Sequence, residues 1–247
     1  MKIALLGDVH ANLPALEAVL DHAKRQGIGA IWNIGDFVGY GAFPDEVIKR
    51  LRHEGAMSII GNYDLKVLRF PKKKEKWKNS KHPHKFFAFQ WAYENLSEES
   101  RRYLTALPKQ IRLDGIGDMS ILITHGSPIS NEESLTPETP EERLRELAQI
   151  AQADMVIFGH SHRHFTRRVD GVWFINTGTV GRPDEGDPRA CYAILDVHKN
   201  EFQVEHYFIE YDIQRAVAAI REKGLPEVFT EMIQEGYDLN TILGEGT

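Results

Sequence analysis

Five separated apolar runs, residues 3–6, 30–34, 57–60, 119–123 and 155–158, are each followed one residue later by a side chain able to bind a divalent metal ion. Those side chains are Asp8, Asp36, Asn62, His125 and His160, and His10 and His162 stand two positions beyond the first and last. Imidazole nitrogens and carboxylate oxygens without thiolate suit manganese, iron, cobalt, nickel or zinc, with manganese favoured. Structural zinc and calcium fit this donor set less well. A carboxylate shared by two ions about 3.5–4 Å apart can hold a bridging hydroxide while both ions neutralise the oxygens of a phosphoryl group. Asp36 is the natural bridge. Because a metal lowers the pKa of its water from about 16 towards 7, no serine or cysteine nucleophile is needed. A single aspartate or histidine after a strand is usually a cap or a hydrogen-bonded surface group; the ordered seven point to one site.

Only strand ends and loops can aim such groups into a shared space. The first sixty residues read as strand, helix, strand, helix, strand. The first helix has Pro14 near its start, buries Leu13, Leu16, Val19, Leu20 and Ala23, and stops at Gly27; the second starts around Pro44, buries Val47, Ile48 and Leu51, and stops at Gly55. A βαβαβ unit of this kind has parallel strands whose carboxyl ends share one edge, where α/β sheets bind ligands. Residues 65–108 break the alternation and are expected to form a helical cap, with helices near 84–95 and 97–107 and a lysine-rich flap at 72–85. Hairpin turns are expected at Asp114-Gly115, Asp170-Gly171 and His198-Lys199-Asn200, and a capping box of Thr139, Pro140 and Glu142 before the intervening helix. Helical segments near 213–223 and 226–234 close the chain.

These blocks resemble the calcineurin-like metallophosphoesterases, whose pattern runs D-x-H, G-D, G-N-x-D/E, H-G, G-H-x-H. All occur in order as Asp8-Val9-His10, Gly35-Asp36, Gly61-Asn62-Tyr63-Asp64, His125-Gly126 and Gly159-His160-Ser161-His162, across roughly residues 1–180. Residues 36–41 and 176–183 resemble the small bacterial phosphodiesterase branch of the family. The resemblance implies an α/β four-layer α-β-β-α sandwich, a single domain over 1–247 with 65–108 inserted as the cap. It implies one metal on Asp8, His10, Asp36 and His162, a second on Asp36, Asn62, His125 and His160, and an Asn62 that also touches the substrate phosphate. Many members carry histidine after the motif asparagine as a proton donor to the leaving group. Here that position is Tyr63, and a phenol, with an ordinary pKa near 10, is a poor acid at neutral pH. Substrates with good leaving groups are therefore expected to react best.

Arg182, in a glycine-rich loop, could pair with a phosphate oxygen in fork geometry or form a surface ion pair. Tyr40, between two glycines, could line the pocket or pack the loop. The other histidines lack motif context, His164 being the first to watch. The chain of 247 residues is 42% hydrophobic and 27% charged, which excludes wholesale disorder. Residues 72–85 carry +6 against a chain total of -6, leaving -12 for the remainder, so a uniformly basic nucleic-acid surface is not indicated. The lysines, with Trp77 and nearby Phe86, Phe87, Phe89 and Trp91, could grip a nucleic acid, but a solvated flap over a buried aromatic face is the favoured reading. A lone Cys191 and no apolar run of signal-peptide or membrane-spanning length suggest the cytoplasm and no membrane partner. The expected function is two-metal hydrolysis of phosphate esters, most of all small phosphodiesters. The alternatives are a phosphoprotein or dinucleoside polyphosphate phosphatase, or a catalytically weak metal-binding scaffold, as a retromer subunit of this fold is.

Overall fold

A computed structural model describes residues 1–199 and 201–244. The leading half runs β1 (Lys2–Leu6), α1 (Leu13–Arg25), β2 (Ala30–Asn33), α2 (Pro44–His53), β3 (Met57–Ser58), α3 (Asn62–Lys78), α4 (Pro83–Glu94) and α5 (Glu98–Ala106). Then come β4 (Gln110–Ile116), β5 (Met119–Thr124), α6 (Glu141–Ala151), β6 (Met155–Phe158), β7 (Phe165–Val169) and β8 (Val172–Asn176). The chain ends with β9 (Ala190–His198), β10 (Glu201–Ile209), α7 (Ile213–Glu222), α8 (Val228–Glu235) and α9 (Leu239–Ile242).

The strands form two five-stranded mixed sheets, ordered β10-β9-β1-β2-β3 and β4-β5-β6-β8-β7. Alternation along β1 explains the layering: Ile3 and Leu5 face the second sheet and meet Ile121, Ile123, Met155, Ile157 and Ile175, whereas Ala4 and Leu6 face α1 and α2. On the far side Val156, Phe158 and Phe174 pack on Leu144 and Leu147 of α6. Helix, sheet, sheet, helix is therefore the layer order. Each large side chain fully buried between the sheets contributes about 1.5–3 kcal/mol. β1, β2 and β3 are mutually parallel, as are β5, β6 and β8. Their carboxyl ends bring both sheets' strand-end loops to one edge.

Several local expectations change. The lysine run is not a flap: α3 continues from Asn62 to Lys78 through Pro71, because Val67 and Phe70 are buried in the main core and outweigh the hydrogen bond that proline forgoes. Trp77 packs on Phe89 with ring centroids 5.5 Å apart, so it is not free to stack bases. α4 shows little amphipathicity because it serves two cores, Phe89 entering one and Ala88 the other. Asp114-Gly115 is not the turn of its hairpin; it lies where the β4–β5 register shifts, and Gly117 and Asp118, with φ of 59° and 61°, make the turn. The capping box before α6 does not form. Pro140 holds the cap position without a side-chain bond, and the Thr139 hydroxyl accepts instead from the Thr136 amide at 2.8 Å. Asp170-Gly171 does join β7 to β8, and His198-Lys199 leads from β9 towards β10, while Asn200 lies outside the described residues.

Candidate metal centre

The strand-end loops place Asp8 and His10 after β1, Asp36 after β2, Asn62 after β3, His125 after β5, and His160 and His162 after β6. All seven come together. Asp8, His10 and His162 present ligand atoms within 4.8 Å of one another, and so do Asp8, Asp36 and His125. Asp36 Oδ2 stands 3.8 Å from His10 Nε2 and 3.5 Å from His125 Nε2, so it faces both groups. The Asn62 amide oxygen lies 3.2 Å from His125 Nε2, and the His160 ring centroid is 5.1 Å from that of His125.

Five of these residues hold left-handed backbone without being glycine: Asp8, His10, Asp36, His160 and His162 have φ between 47° and 67°. Such conformations cost of order 1–2 kcal/mol each for ordinary side chains. Space for the loops comes from glycines, Gly61 among them. A Cβ on Gly61 would lie 2.0 Å from Asp36 Oδ1, the oxygen that accepts from the Tyr63 amide at 2.7 Å. Asp64, fully buried, accepts from the Gly61 and Val38 amides at 3.0 and 3.2 Å and so ties the β2 and β3 loops together. Burial and then the nearby Asp36 raise its pKa to about 7.

The outward ring nitrogens are mostly spoken for. His10 Nδ1 faces the Val38 carbonyl at 3.3 Å and His125 Nδ1 the Ile34 carbonyl at 2.9 Å. His162 Nδ1 faces Asp184 Oδ2 at 3.2 Å, an ion-pair contact rather than an aligned hydrogen bond. Those acceptors favour a proton on each Nδ1, which leaves Nε2 lone pairs pointing inward. His10 Nε2 and His162 Nε2 are only 3.2 Å apart; without metal a proton on His162 bridges them, and a divalent ion bound there would take that proton's place. Buried Asp8 Oδ1 has no hydrogen-bond partner and lies 3.4 Å from His162 Nε2. An orphaned carboxylate oxygen beside inward lone pairs is what a divalent ion requires.

The same charges set the protonation of the metal-free centre. Burial, then Arg182, lowers the pKa of His10 to about 3. Burial and then His125 lower that of His160 to about 4. Burial also opposes a charge on His125, but Asp36 outweighs it and lifts the pKa to about 10. His162 is held up to about 9 by Asp184 and Asp8, against burial and Arg182. Asp36, despite burial, sits below the usual carboxylate range because of His125.

The centre opens into a cavity of about 340 Å³ bounded by Asp36, Asn62, Tyr63, Lys66, Glu132, His160, His162 and Arg182. Arg182 is partly buried, its guanidinium 5.0 Å from the Tyr40 ring centre and 5.7 Å from that of Tyr63, and its Nε has no partner. Tyr40 does not line the cavity. It lies behind it, 5% exposed, its hydroxyl 2.9 Å from that of Tyr63, and burial raises its pKa. His164 packs against Phe208 and His206 rather than facing the ligand cluster. Three groups were not anticipated: Asp184 against His162, Glu132 accepting from the Asn62 amide at 3.2 Å, and Lys66 paired with Glu132 at 2.9 Å. The proximity of Asp184 to Arg182 in sequence was the single available hint.

Residues 1–200 match the family model described as the calcineurin-like phosphoesterase superfamily domain, and the chain belongs to that superfamily. It is thereby a metal-dependent phosphoesterase. An uncharacterized protein of Methanocaldococcus jannaschii is 31% identical over 94% of this chain and 96% of its own. A phosphodiesterase of Escherichia coli K12, YfcE, is 24% identical over 79% of this chain and 88% of its own. The crystal structure of a metallophosphoesterase from Sphaerobacter thermophilus superposes with a TM-score of 0.80 at 31% identity, over 96% of this chain and 100% of that one. Among the described residues no helix is long and apolar enough to cross a membrane.

Proposed function

We propose that this chain hydrolyses phosphodiesters at a centre of two divalent transition-metal ions, one on Asp8, His10, Asp36 and His162, the other on Asp36, Asn62, His125 and His160. One observation carries the reading: Asp36 Oδ2 faces His10 and His125 at once, while Asp8 Oδ1 has no hydrogen-bond partner beside the inward nitrogens of His10 and His162, which meet only each other. Ions held there supply a nucleophile from water at neutral pH and offset charge on the phosphoryl oxygens. The chain does the rest. Asp64 holds the loops that carry Asp36 and Asn62. Glu132 fixes the Asn62 amide with its oxygen towards His125 and its nitrogen outward. The unpaired Nε of Arg182 belongs to the guanidinium that would take a phosphoryl oxygen, and Tyr40 acts by supporting Arg182 and Tyr63 rather than by touching substrate.

Tyr63 stands beside His10, ring centroids 5.1 Å apart, with its hydroxyl 3.5 Å from Arg182 Nη1. A phenol so placed orients the leaving side but is a weak proton donor at neutral pH, which favours esters with good leaving groups. The test uses metal-stripped protein assayed on a bis(aryl) phosphate and an aryl monophosphate after manganese, nickel or zinc is restored, with Asp36→Asn alongside. Metal-dependent cleavage of the diester above the monoester, lost in Asp36→Asn, is the expected result. No metal-dependent turnover on either ends the reading.

A further inference from the structure

α3 begins at the centre, with Asn62 in its first turn, and runs outward to Lys78. Residues 62, 66, 69, 73 and 76 are spaced four, three, four and three apart, which keeps them within a stripe about 80° wide on one helix face. They are Asn62, Lys66, Arg69, Lys73 and Lys76. Asn62 and Lys66 line the cavity, and Arg69, Lys73 and Lys76 are exposed and form no ion pair among the described residues. Three unpaired cations, one about every helical turn, therefore run about 10 Å along the helix beyond the cavity mouth. They do so on a chain whose net charge is -6. Lys66, between this ladder and the centre, is paired with Glu132 and is not counted among the unpaired rungs.

We propose that this face of α3 docks a single-stranded oligonucleotide and feeds one of its phosphodiester links into the cavity; the assignment rests on the phosphodiesterase reading above. A repeating cation ladder is complementary to a repeating anion and gains nothing from a lone small ester. The cavity of about 340 Å³ is of a size for one link with its neighbouring sugar, which suits a strand whose links can be presented singly. With Trp77 packed on Phe89, no base-stacking platform accompanies the ladder, so recognition is by backbone charge and indifferent to sequence. At 3.4 Å or more per phosphate along a strand, the three rungs face at most about three phosphates. At the centre, the oxygen of water bonds to phosphorus, the bridging P–O bond breaks, and the proton lost by water ends on the departing sugar oxygen. That oxygen leaves less readily than an aryl oxide, so the ladder acts on capture of the strand.

Binding of a fluorescein-labelled twelve-residue oligothymidylate to the full chain in chelator, followed by anisotropy at 50 and 200 mM salt, tests this. Three unpaired rungs give a log–log salt slope of about -2, an affinity loss of about twentyfold across that range. The double variant Lys73→Gln/Lys76→Gln should lose only about threefold across it and bind more weakly at low salt. Lys74→Gln/Lys78→Gln, equally exposed but on the opposite face, should behave as wild type, with all three proteins melting together. Equal effects of the two doubles, no binding at all, or tighter binding of a twelve-base-pair duplex would overturn the proposal. Turnover of the bis(aryl) phosphate by wild-type protein is the separate measure of the enzyme reading: intact turnover with ladder-independent strand binding removes the ladder alone.

Discussion

Reloading metal-stripped protein at controlled pH tests the charge arrangement of the centre directly. Without metal, His125 stays protonated up to about pH 10, since Asp36 overcomes the opposition of burial. His162 stays protonated up to about pH 9 through Asp184 and Asp8, against burial and Arg182. His10 and His160, lowered by burial to about 3 and about 4, are neutral at pH 7. Metals bind neutral imidazole, so filling the centre at pH 7 must expel about two imidazole protons, from His125 and His162, and none from His10 or His160, besides any proton given up by metal-bound water. The combined affinity for both ions should rise about a hundredfold between pH 7 and 8, tenfold for each proton expelled. Titration calorimetry in buffers of different ionisation heat counts the protons. Stability carries the matching sign. Both folded pKa values exceed the ordinary 6.5, so their contribution is complete below pH 6.5 and is lost as pH rises through about 9 and about 10. The Tm gap between loaded and metal-free protein should therefore widen from pH 7 to 9. Release of less than one proton at pH 7, with a gap that does not change, would refute the reasoning.

Asp184→Asn should weaken metal binding about 10- to 100-fold and expel about one proton fewer on reloading at pH 7, since His162 loses the carboxylate on its outer nitrogen. Arg182→Lys keeps the charge but loses the fork; KM for the bis(aryl) phosphate should rise about tenfold in steady-state kinetics, whereas an unchanged KM removes Arg182 from substrate binding. Tyr63→His should narrow the ratio of aryl to alkyl ester rates by about tenfold or more, and an unaltered ratio would dismiss the leaving-group argument. Gly61→Ala drives a methyl into Asp36 Oδ1 and should cost about 1–3 kcal/mol, seen as a fall of about 2 to 10 degrees in Tm by calorimetry.

The convergence of the seven clustered residues is legible because each follows a largely apolar strand, and parallel strands leave one place for their ends to meet. Both sheets' edge strands β4, β7 and β10 alternate with exposed residues and carry weaker signals. Asp184, Glu132 and Lys66 were not legible, since no periodicity marks a side chain whose partner lies 22 to 70 residues away in sequence. α3 was misread for a different reason. Pro71 and five lysines between 72 and 78 look locally like a break, and what holds the helix is tertiary: Val67 and Phe70 in the core, and Trp77 against Phe89. Tyr40 was placed at the right end of the molecule but one layer too shallow, because a sequence does not show which of two adjacent tyrosines stands in front.

The five left-handed residues of the candidate centre set a hazard for anyone breeding this protein for heat resistance. At 1–2 kcal/mol each they amount to a sizeable part of the about 5–15 kcal/mol that keeps a domain folded. Glycine or asparagine at Asp8, Asp36 or His160 would relieve that backbone, so a screen that scores survival of heating alone would enrich variants whose ligands have been quietly discarded. Selection has to be run with metal present and with turnover as the gate, or the hardiest descendants will be inert.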